Sequence, residues 1–383
     1  MVSPGSSLPP ILDLAMHASF EIASQIKNYR ISIGDHLLDD YASVDDEHIF
    51  LCDQFFAQRL ATGNRRIISI EANEMAKSLD RMAEIIIRLR ELGVHRKTVL
   101  VAVGGGVIQD VVTFCASIYM RGIPWVYFPS TLLGMVDSCI GGKSAINVGP
   151  YKNIVGNYYP PEEVLIDLDM TQTLGVEQKV AGLCEAAKIC FARDEATFNR
   201  YLDFSPTINA DQALLARIIE LSLQTKKCFI ETDEFDQNER LLLNFGHTFG
   251  HAIEGATGFR ISHGVAVGVG MLAALHYART VYSTSQFAAR AVALEQHIRA
   301  LLAAVPQLSD ILSATDPDSL FDRFVADKKH TATAYTIVGL TQEGALQIIR
   351  LPHGTESDAT IRDIFAAVVQ PAFLGNLSPA RMQ

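Results

Sequence analysis

The residues with most chemistry to offer lie in NFGHTFGHAIE (244–254), which sets His247 and His251 four residues apart on one helix face. Sixteen residues after His247 stands His263, in Ile-Ser-His-Gly. Upstream, GLCEAAK (182–188) holds Glu185 and Lys188 three residues apart. A carboxylate and an ammonium on so apolar a segment are costly unless paired or metal-bound. One carboxylate with imidazoles is a common catalytic zinc set, and it leaves coordination positions for substrate or water. Spacing alone does not choose which two of the three histidines would be ligands. The bland alternative is hydrogen-bonded core histidines beside a structural Glu–Lys pair. The gathering of so many such groups weighs against it.

A second set suits anions. Gly104-Gly105-Gly106 follows an apolar run and precedes a helical pattern. Glycines there let a backbone approach a pyrophosphate at a helix N-terminus, although a lone triplet is equally a tight turn. Asp53, closing IFLCD (49–53), could hold a ribose hydroxyl. From Asp137 through Gly141-Gly142-Lys143 to Asn147, then Lys152 and Asn153, with Arg121 upstream, the chain combines exposed backbone N–H groups with point charges. That combination suits a phosphate or another anionic substrate group. Gly-Gly-Lys between apolar stretches is an odd way to build an ordinary solvated loop.

These groups need elements to position them. Apolar runs at 49–53, 67–70, 98–103 and 125–128 alternate with helical spacing at 76–92, stopped by Gly93, and at 107–117. Strand–helix alternation predicts a parallel α/β sheet of the dinucleotide-binding kind, closed by 165–170. From about 173 long helical periodicity takes over (175–203, 210–230, 240–256, 263–281, 286–303), with a late strand pair (334–339, 346–350) and a last helix (358–373). The expected organisation is an N-terminal extension over 1–30, an α/β domain over 31–172 and an α-helical domain over 173–383. At 383 residues, 49% hydrophobic and 20% charged, the chain can fill two cores. A net charge of −11 without basic runs argues against nucleic acid and anionic membrane as partners. Apolar stretches are broken by charge, Gly or Pro short of the roughly 20 residues of a membrane span, and the N-terminus lacks the basic start and apolar core of a signal peptide. Six cysteines with no Cys-x-x-Cys pair read as buried reduced thiols, which fits a cytoplasmic enzyme.

Taken in order, GGGVIQD (104–110), RGIPWVYFPSTLLGMVDSCIGGKSAIN (121–147), YKNIVGNYYPP (151–161), GLCEAAK, NFGHTFGHAIE and SHG (262–264) resemble the dehydroquinate synthase branch of the sugar phosphate cyclases. The resemblance runs from Asp53 to Lys329. It implies an N-terminal Rossmann-like NAD domain and a C-terminal all-α metal domain, usually paired as a homodimer. It implies zinc or cobalt on Glu185, His247 and His263, with His251 on substrate. It implies NAD on Asp53, Glu74, Lys77, Gly105, Gly106, Asp110, Ser130, Thr131 and Thr173, with Lys152 between cofactor and substrate. Substrate positions are Asp137, Lys143, Asn153, Lys188, Lys226, Arg240, Asn244 and Lys328. Arg121 matches an arginine that reaches the neighbouring subunit's phosphate site.

The chemistry so implied is a cycle without net redox: transient oxidation of a ring hydroxyl by NAD, β-elimination of phosphate, reduction, ring opening and intramolecular aldol closure. A 2-keto acid sugar phosphate needs a cationic clamp for its carboxylate, and Arg240 and Lys226 stand at those positions. The implied reaction converts 3-deoxy-D-arabino-heptulosonate 7-phosphate to 3-dehydroquinate, a step of the shikimate pathway to aromatic amino acids. The alternatives within the family are cyclases of secondary metabolism: 2-deoxy-scyllo-inosose synthase-like, amino-dehydroquinate synthase or valiolone synthase type. From other classes stand a metal-dependent NAD alcohol dehydrogenase, against which the Lys143, Lys152 and Asn153 set argues, and a catalytically silent relative, against which Glu185, His247 and His263 argue.

Overall fold

The computed structural model describes residues 16–43, 48–61, 65–149, 151–282 and 288–375. The chain divides into two compact units, Met1–Thr173 and Leu174–Gln383.

The first unit is built on a seven-stranded sheet of β1 (Met16–Ile22), β2 (Tyr29–Gly34), β3 (Ile49–Asp53), β4 (Arg66–Ile70), β5 (Leu100–Gly104), β6 (Trp125–Pro129) and, after a separate hairpin of β7 (Ile146–Val148) and β8 (Tyr151–Val155), β9 (Glu163–Asp167). The spatial order is β1-β2-β9-β6-β5-β3-β4. All neighbours run parallel except β1 and β2. Strands β5 and β6 are buried throughout, as their unbroken apolar runs require when both sheet faces are covered. Helices α1 (Leu37–Ala42), α2 (Gln54–Leu60), α3 (Leu79–Glu91) and α4 (Gly106–Ile118) make the crossovers. Met82, Ile85 and Leu89 form the buried stripe of α3. Gly93, at φ 75°, ends it: the Val94 N–H bonds the Leu89 carbonyl and the Gly93 N–H bonds that of Arg90.

Two features depart from expectation in this unit. Residues 16–30 do not form a loose extension: β1 and the start of β2 belong to the main sheet. Strand β1 alternates half-buried with exposed positions on the sheet edge, so its composition hides it. The remainder of the expected extension, 1–15, lies outside the described residues. The helix expected from 76 starts at Leu79, because the Asn73 side chain caps a separate turn, Glu74–Lys77, and Ser78 is extended.

The second unit packs α5 (Val176–Arg193), α6 (Glu195–Asp203), α7 (Gln212–Thr232), α8 (His247–Ala256), α9 (His263–Tyr282), α10 (Ala289–Leu302), α11 (Leu308–Ser313), α12 (Pro317–Val325) and α13 (Thr355–Val368) with a hairpin of β10 (Ala334–Leu340) and β11 (Leu346–Pro352). The expected helix 175–203 is broken at Asp194, whose carboxylate caps α6 at 2.7 Å from Thr197 N. The expected helix 240–256 is a 3₁₀ turn, Glu239–Asn244, then Gly246 at φ 77°, then α8. Helix α9 reverses another expectation, because by length and composition it is apolar enough to cross a membrane. However, 78% of its apolar window is buried within the protein, as in a central core helix. Its glycines, which break the apolar run in the sequence, seat the helix against its neighbours in the fold. A Cβ on Gly264 would lie 2.4 Å from Ala181 O of α5, and one on Gly270 would lie 2.0 Å from Gly246 O before α8.

Candidate active site

That close packing brings the starts of α8 and α9 against the middle of α5. Glu185 sits mid-α5, His247 opens α8 and His263 opens α9, and each offers one ligand atom within 4.8 Å of the others. Glu185 Oε1 lies 3.9 Å from His247 Nε2 and 3.8 Å from His263 Nε2. Three ligands about 2.0–2.2 Å from one tetrahedral ion would be about 3.4 Å apart, so a small inward shift suffices. Outer partners orient both rings. His263 Nδ1 lies 3.1 Å from Glu254 Oε2, and His247 Nδ1 lies 3.3 Å from Phe245 O. With Nδ1–H donating outward, each Nε2 lone pair faces Glu185. Burial, then the Lys188 charge, hold His247 well below the usual imidazole range and keep it neutral. Desolvation would lower His263 as well, but its bond to Glu254 and the Glu185 charge outweigh that and raise it. Glu185 is 1% exposed and pairs with Lys188, 2% exposed. The donor set and its outer hydrogen bonds fit a divalent metal.

His251 is not in the triad. Its Nδ1 lies 3.0 Å from Asp327 Oδ2 and 3.2 Å from Lys329 Nζ. Desolvation lowers His251 against the pull of Asp327. The resemblance gives Lys328 a substrate position and assigns no role to Asp327 or Lys329. Of the two adjacent lysines Lys328 is exposed, whereas Lys329 reaches the histidine. Lys226 on α7 and Arg240 on the 3₁₀ turn are buried cations, 6% and 4% exposed. Asp233 accepts from Arg240 N at 3.1 Å, and the Arg240 guanidinium donates to Glu234 O. Asn244, at the end of that turn, donates to Leu241 O at 3.1 Å.

In the first unit the strand order reverses between β3 and β5: β4 lies beyond β3 on one side, while β5, β6 and β9 follow on the other. Nucleotides bind outside the carboxyl ends of the strands at such a point. Asp53 ends β3, accepts from Phe55 N at 3.1 Å and caps α2. Gly105 and Gly106 open α4. A Cβ on Gly106 would meet nothing within 4 Å, whereas one on Gly105 would meet Thr131 at 3.0 Å. The helix N-terminus therefore has room for a phosphate. Ser130 N donates to Gly104 O at 2.9 Å, which draws the Ser130–Thr131 turn alongside. A cavity of about 460 Å³, lined by Phe55, Phe56, Arg59, Asp169, Met170 and Thr173, opens on the α2 side. These features fit a dinucleotide.

A charged network joins other expected residues. Lys77 Nζ lies 2.7 Å from Asp110 Oδ2, 2.9 Å from Asn153 Oδ1 and 3.8 Å from Glu74. Lys152 Nζ lies 3.7 Å from Glu74. Burial raises the Asp110 carboxyl against the pull of Lys77. Asn147 is the hub: it donates to Glu74 Oε1 at 2.8 Å and accepts from Asn153 N at 2.9 Å, holding Asn153 at φ 53°. Only its place beside Lys143 hinted at this. Asp137 lies on a single π-turn, Gly134–Ser138, a distortion common at functional sites. Lys143 is exposed between the buried Gly142 and Ser144. Arg121 is presented by a turn in which Met120, Arg121 and Gly122 all have positive φ, a strained geometry for the two non-glycine residues.

The 3-dehydroquinate synthase N-terminal family model matches residues 67–181 and the C-terminal model 182–330. The chain belongs to the 3-dehydroquinate synthase family. A 3-dehydroquinate synthase of Dictyoglomus thermophilum is 40% identical over 257 residues, covering 66% of this chain and 70% of that protein. One of Xylella fastidiosa is 34% identical over 362 residues, 88% and 89% of the two chains. Among solved structures, 2-deoxy-scyllo-inosose synthase in complex with carbaglucose-6-phosphate, NAD+ and Co2+ superposes with a TM-score of 0.76 at 24% identity, over 91% of this chain and 99% of that one. It shares the fold of this dehydroquinate synthase family member.

Proposed function

We propose that the protein is a sugar phosphate cyclase that converts 3-deoxy-D-arabino-heptulosonate 7-phosphate to 3-dehydroquinate and phosphate, using NAD and Zn2+ or Co2+. The observation that carries this is the Glu185–His247–His263 triad beside buried Lys188, in a chain of this family. Bound NAD supplies a hydride acceptor restored within each turnover, and the bound metal supplies Lewis acidity toward a ring hydroxyl.

The chain's own residues position and neutralise charge. Glu185, His247 and His263 hold the metal, and Glu254 keeps the His263 proton on Nδ1. Asp53, Gly105, Gly106, Ser130, Thr131 and Thr173 hold the nucleotide, with Glu74, Lys77 and Asp110 bracing Lys152 and Asn153. Lys143 and Asn153 bind the substrate phosphate, and the leaving phosphate takes the ring proton. Lys226 and Arg240 clamp the substrate carboxylate. Asp137, Lys188 and Asn244 orient the ring hydroxyls. His251, its Nδ1–H held by Asp327, holds or moves a proton at Nε2, with Lys328 and Lys329 adding positive charge. Arg121, exposed on its positive-φ turn, serves the phosphate site of a second copy in a homodimer. Six free cysteines, five of them buried, support a reducing, cytoplasmic setting.

The test is phosphate release by purified protein with NAD and Zn2+ or Co2+. It is offered 3-deoxy-D-arabino-heptulosonate 7-phosphate, sedoheptulose 7-phosphate and glucose 6-phosphate side by side, with products identified by mass. Release from the first alone, giving dehydroquinate without NADH accumulation, supports the proposal. Release from another retains a cyclase and overturns the carboxylate clamp. NADH accumulating in step with turnover overturns the cyclase.

A further inference from the structure

The Lys143 loop is held by α4, the same helix whose first residues form the glycine turn. Gln109 is 5% exposed. Its Nε2 donates to Ser138 O at 2.7 Å and its Oε1 accepts from Ser138 Oγ at 2.9 Å. This reciprocal pair fixes the end of the π-turn that carries Asp137. One residue on, Asp110 Oδ1 accepts from Ala145 N at 2.9 Å. Adjacent side chains on α4 thus grip the chain on both sides of Gly141-Gly142-Lys143. Between the grips, Gly141 N donates to Tyr29 Oη at 2.8 Å and Tyr159 N donates to Gly142 O at 2.7 Å. Gly141 and Gly142 take φ of 104° and 61°. Two successive glycines leave the backbone many other conformations, so these hydrogen bonds are what hold the loop in this one.

We infer that Gln109 is a positioning residue for the Lys143 loop: its carboxamide seats the end of the π-turn, and through it the Asp137 carboxylate and the Lys143 ammonium. This rests on the proposed role of Lys143 toward the substrate phosphate. A side chain of equal size without the amide leaves the Ser138 carbonyl and hydroxyl without their buried partner, and the loop loses one of its two grips. The glycine turn at the start of α4 is untouched, so nucleotide binding is unaffected.

The test is a double-mutant cycle of Gln109→Met and Lys143→Ala, read as kcat and KM for the sugar phosphate that the wild type turns over, with NAD affinity measured in parallel. Gln109→Met is expected to lower kcat/KM by about 10- to 100-fold with NAD affinity unchanged, and to add less than about threefold in the Lys143→Ala background. Ser138→Ala, which removes only the hydroxyl half of the pair, gives a smaller loss with the same non-additivity and covers the case of a poorly folding Gln109→Met. Independent, additive losses overturn the inference. So does wild-type turnover in both Gln109→Met and Ser138→Ala while Lys143→Ala is crippled, which leaves the proposed function standing. Wild-type turnover in Lys143→Ala overturns the role of Lys143 and the inference with it.

Discussion

Gly264→Ala tests how the metal triad is assembled. The added methyl would sit 2.4 Å from Ala181 O and 2.7 Å from Ala181 Cα, whereas ordinary contact begins at 3.4 Å. Both neighbours are backbone atoms inside α5, so neither can swing away. Helix α9 must retreat from α5 by about 1 Å, at the residue next to His263. Overpacking of this kind costs about 1–3 kcal/mol. At roughly 2–4 °C per kcal/mol for a unit of this size, the melting temperature of the second unit should fall by roughly 2–12 °C. The 3.8 Å Glu185–His263 separation would widen, away from the spacing that one ion can span. Zn2+ affinity, measured by competition with a chromophoric chelator, should then drop at least tenfold. Wild-type melting together with wild-type zinc affinity would refute the claim that glycine-mediated contact between α5 and α9 builds the site.

Gly106→Val is the contrasting case, since its Cβ enters open space: thermal stability should stay near wild type while NAD affinity, by fluorescence titration, falls more than tenfold. Glu254→Gln keeps a hydrogen-bond acceptor for His263 Nδ1 but removes the charge. Metal affinity should fall about 10–100-fold, and an unchanged affinity would remove Glu254 from the site. Arg240→Ala should lower kcat/KM for the carboxylated substrate by about 2–4 kcal/mol; kinetics indistinguishable from wild type would place the clamp elsewhere. Burial lowers the His297 imidazole, packed against Tyr201, to about 4. The unfolded chain, at its ordinary 6.5, takes up that proton first. Stability therefore falls as pH drops from about 6.5 toward 4, by up to about 3 kcal/mol. His297→Phe should flatten this acid loss in melting curves between pH 7 and 5.

Much of this protein could be read from residue order. The β3, β4, β5 and β6 runs, the Gly93 stop and the glycine turn before α4 are local patterns, set by side-chain period and backbone freedom within a few residues. The motif resemblance carried fold and chemistry together. The edge strand β1 escaped notice because its side chains are only half buried, so its alternation has little apolar contrast. What tertiary structure decided was selection and orientation. Spacing left three histidines equivalent. The approach of α9 to α5 and α8, possible only where glycines remove side chains, faces His247 and His263 toward Glu185 and leaves His251 with Asp327 and Lys329. The same holds for Gln109 and Asn147, whose roles arise from partners 29 and 73 positions away along the chain. Hydrogen bonds across such distances depend on the packed sheet and helices, and no local pattern encodes them.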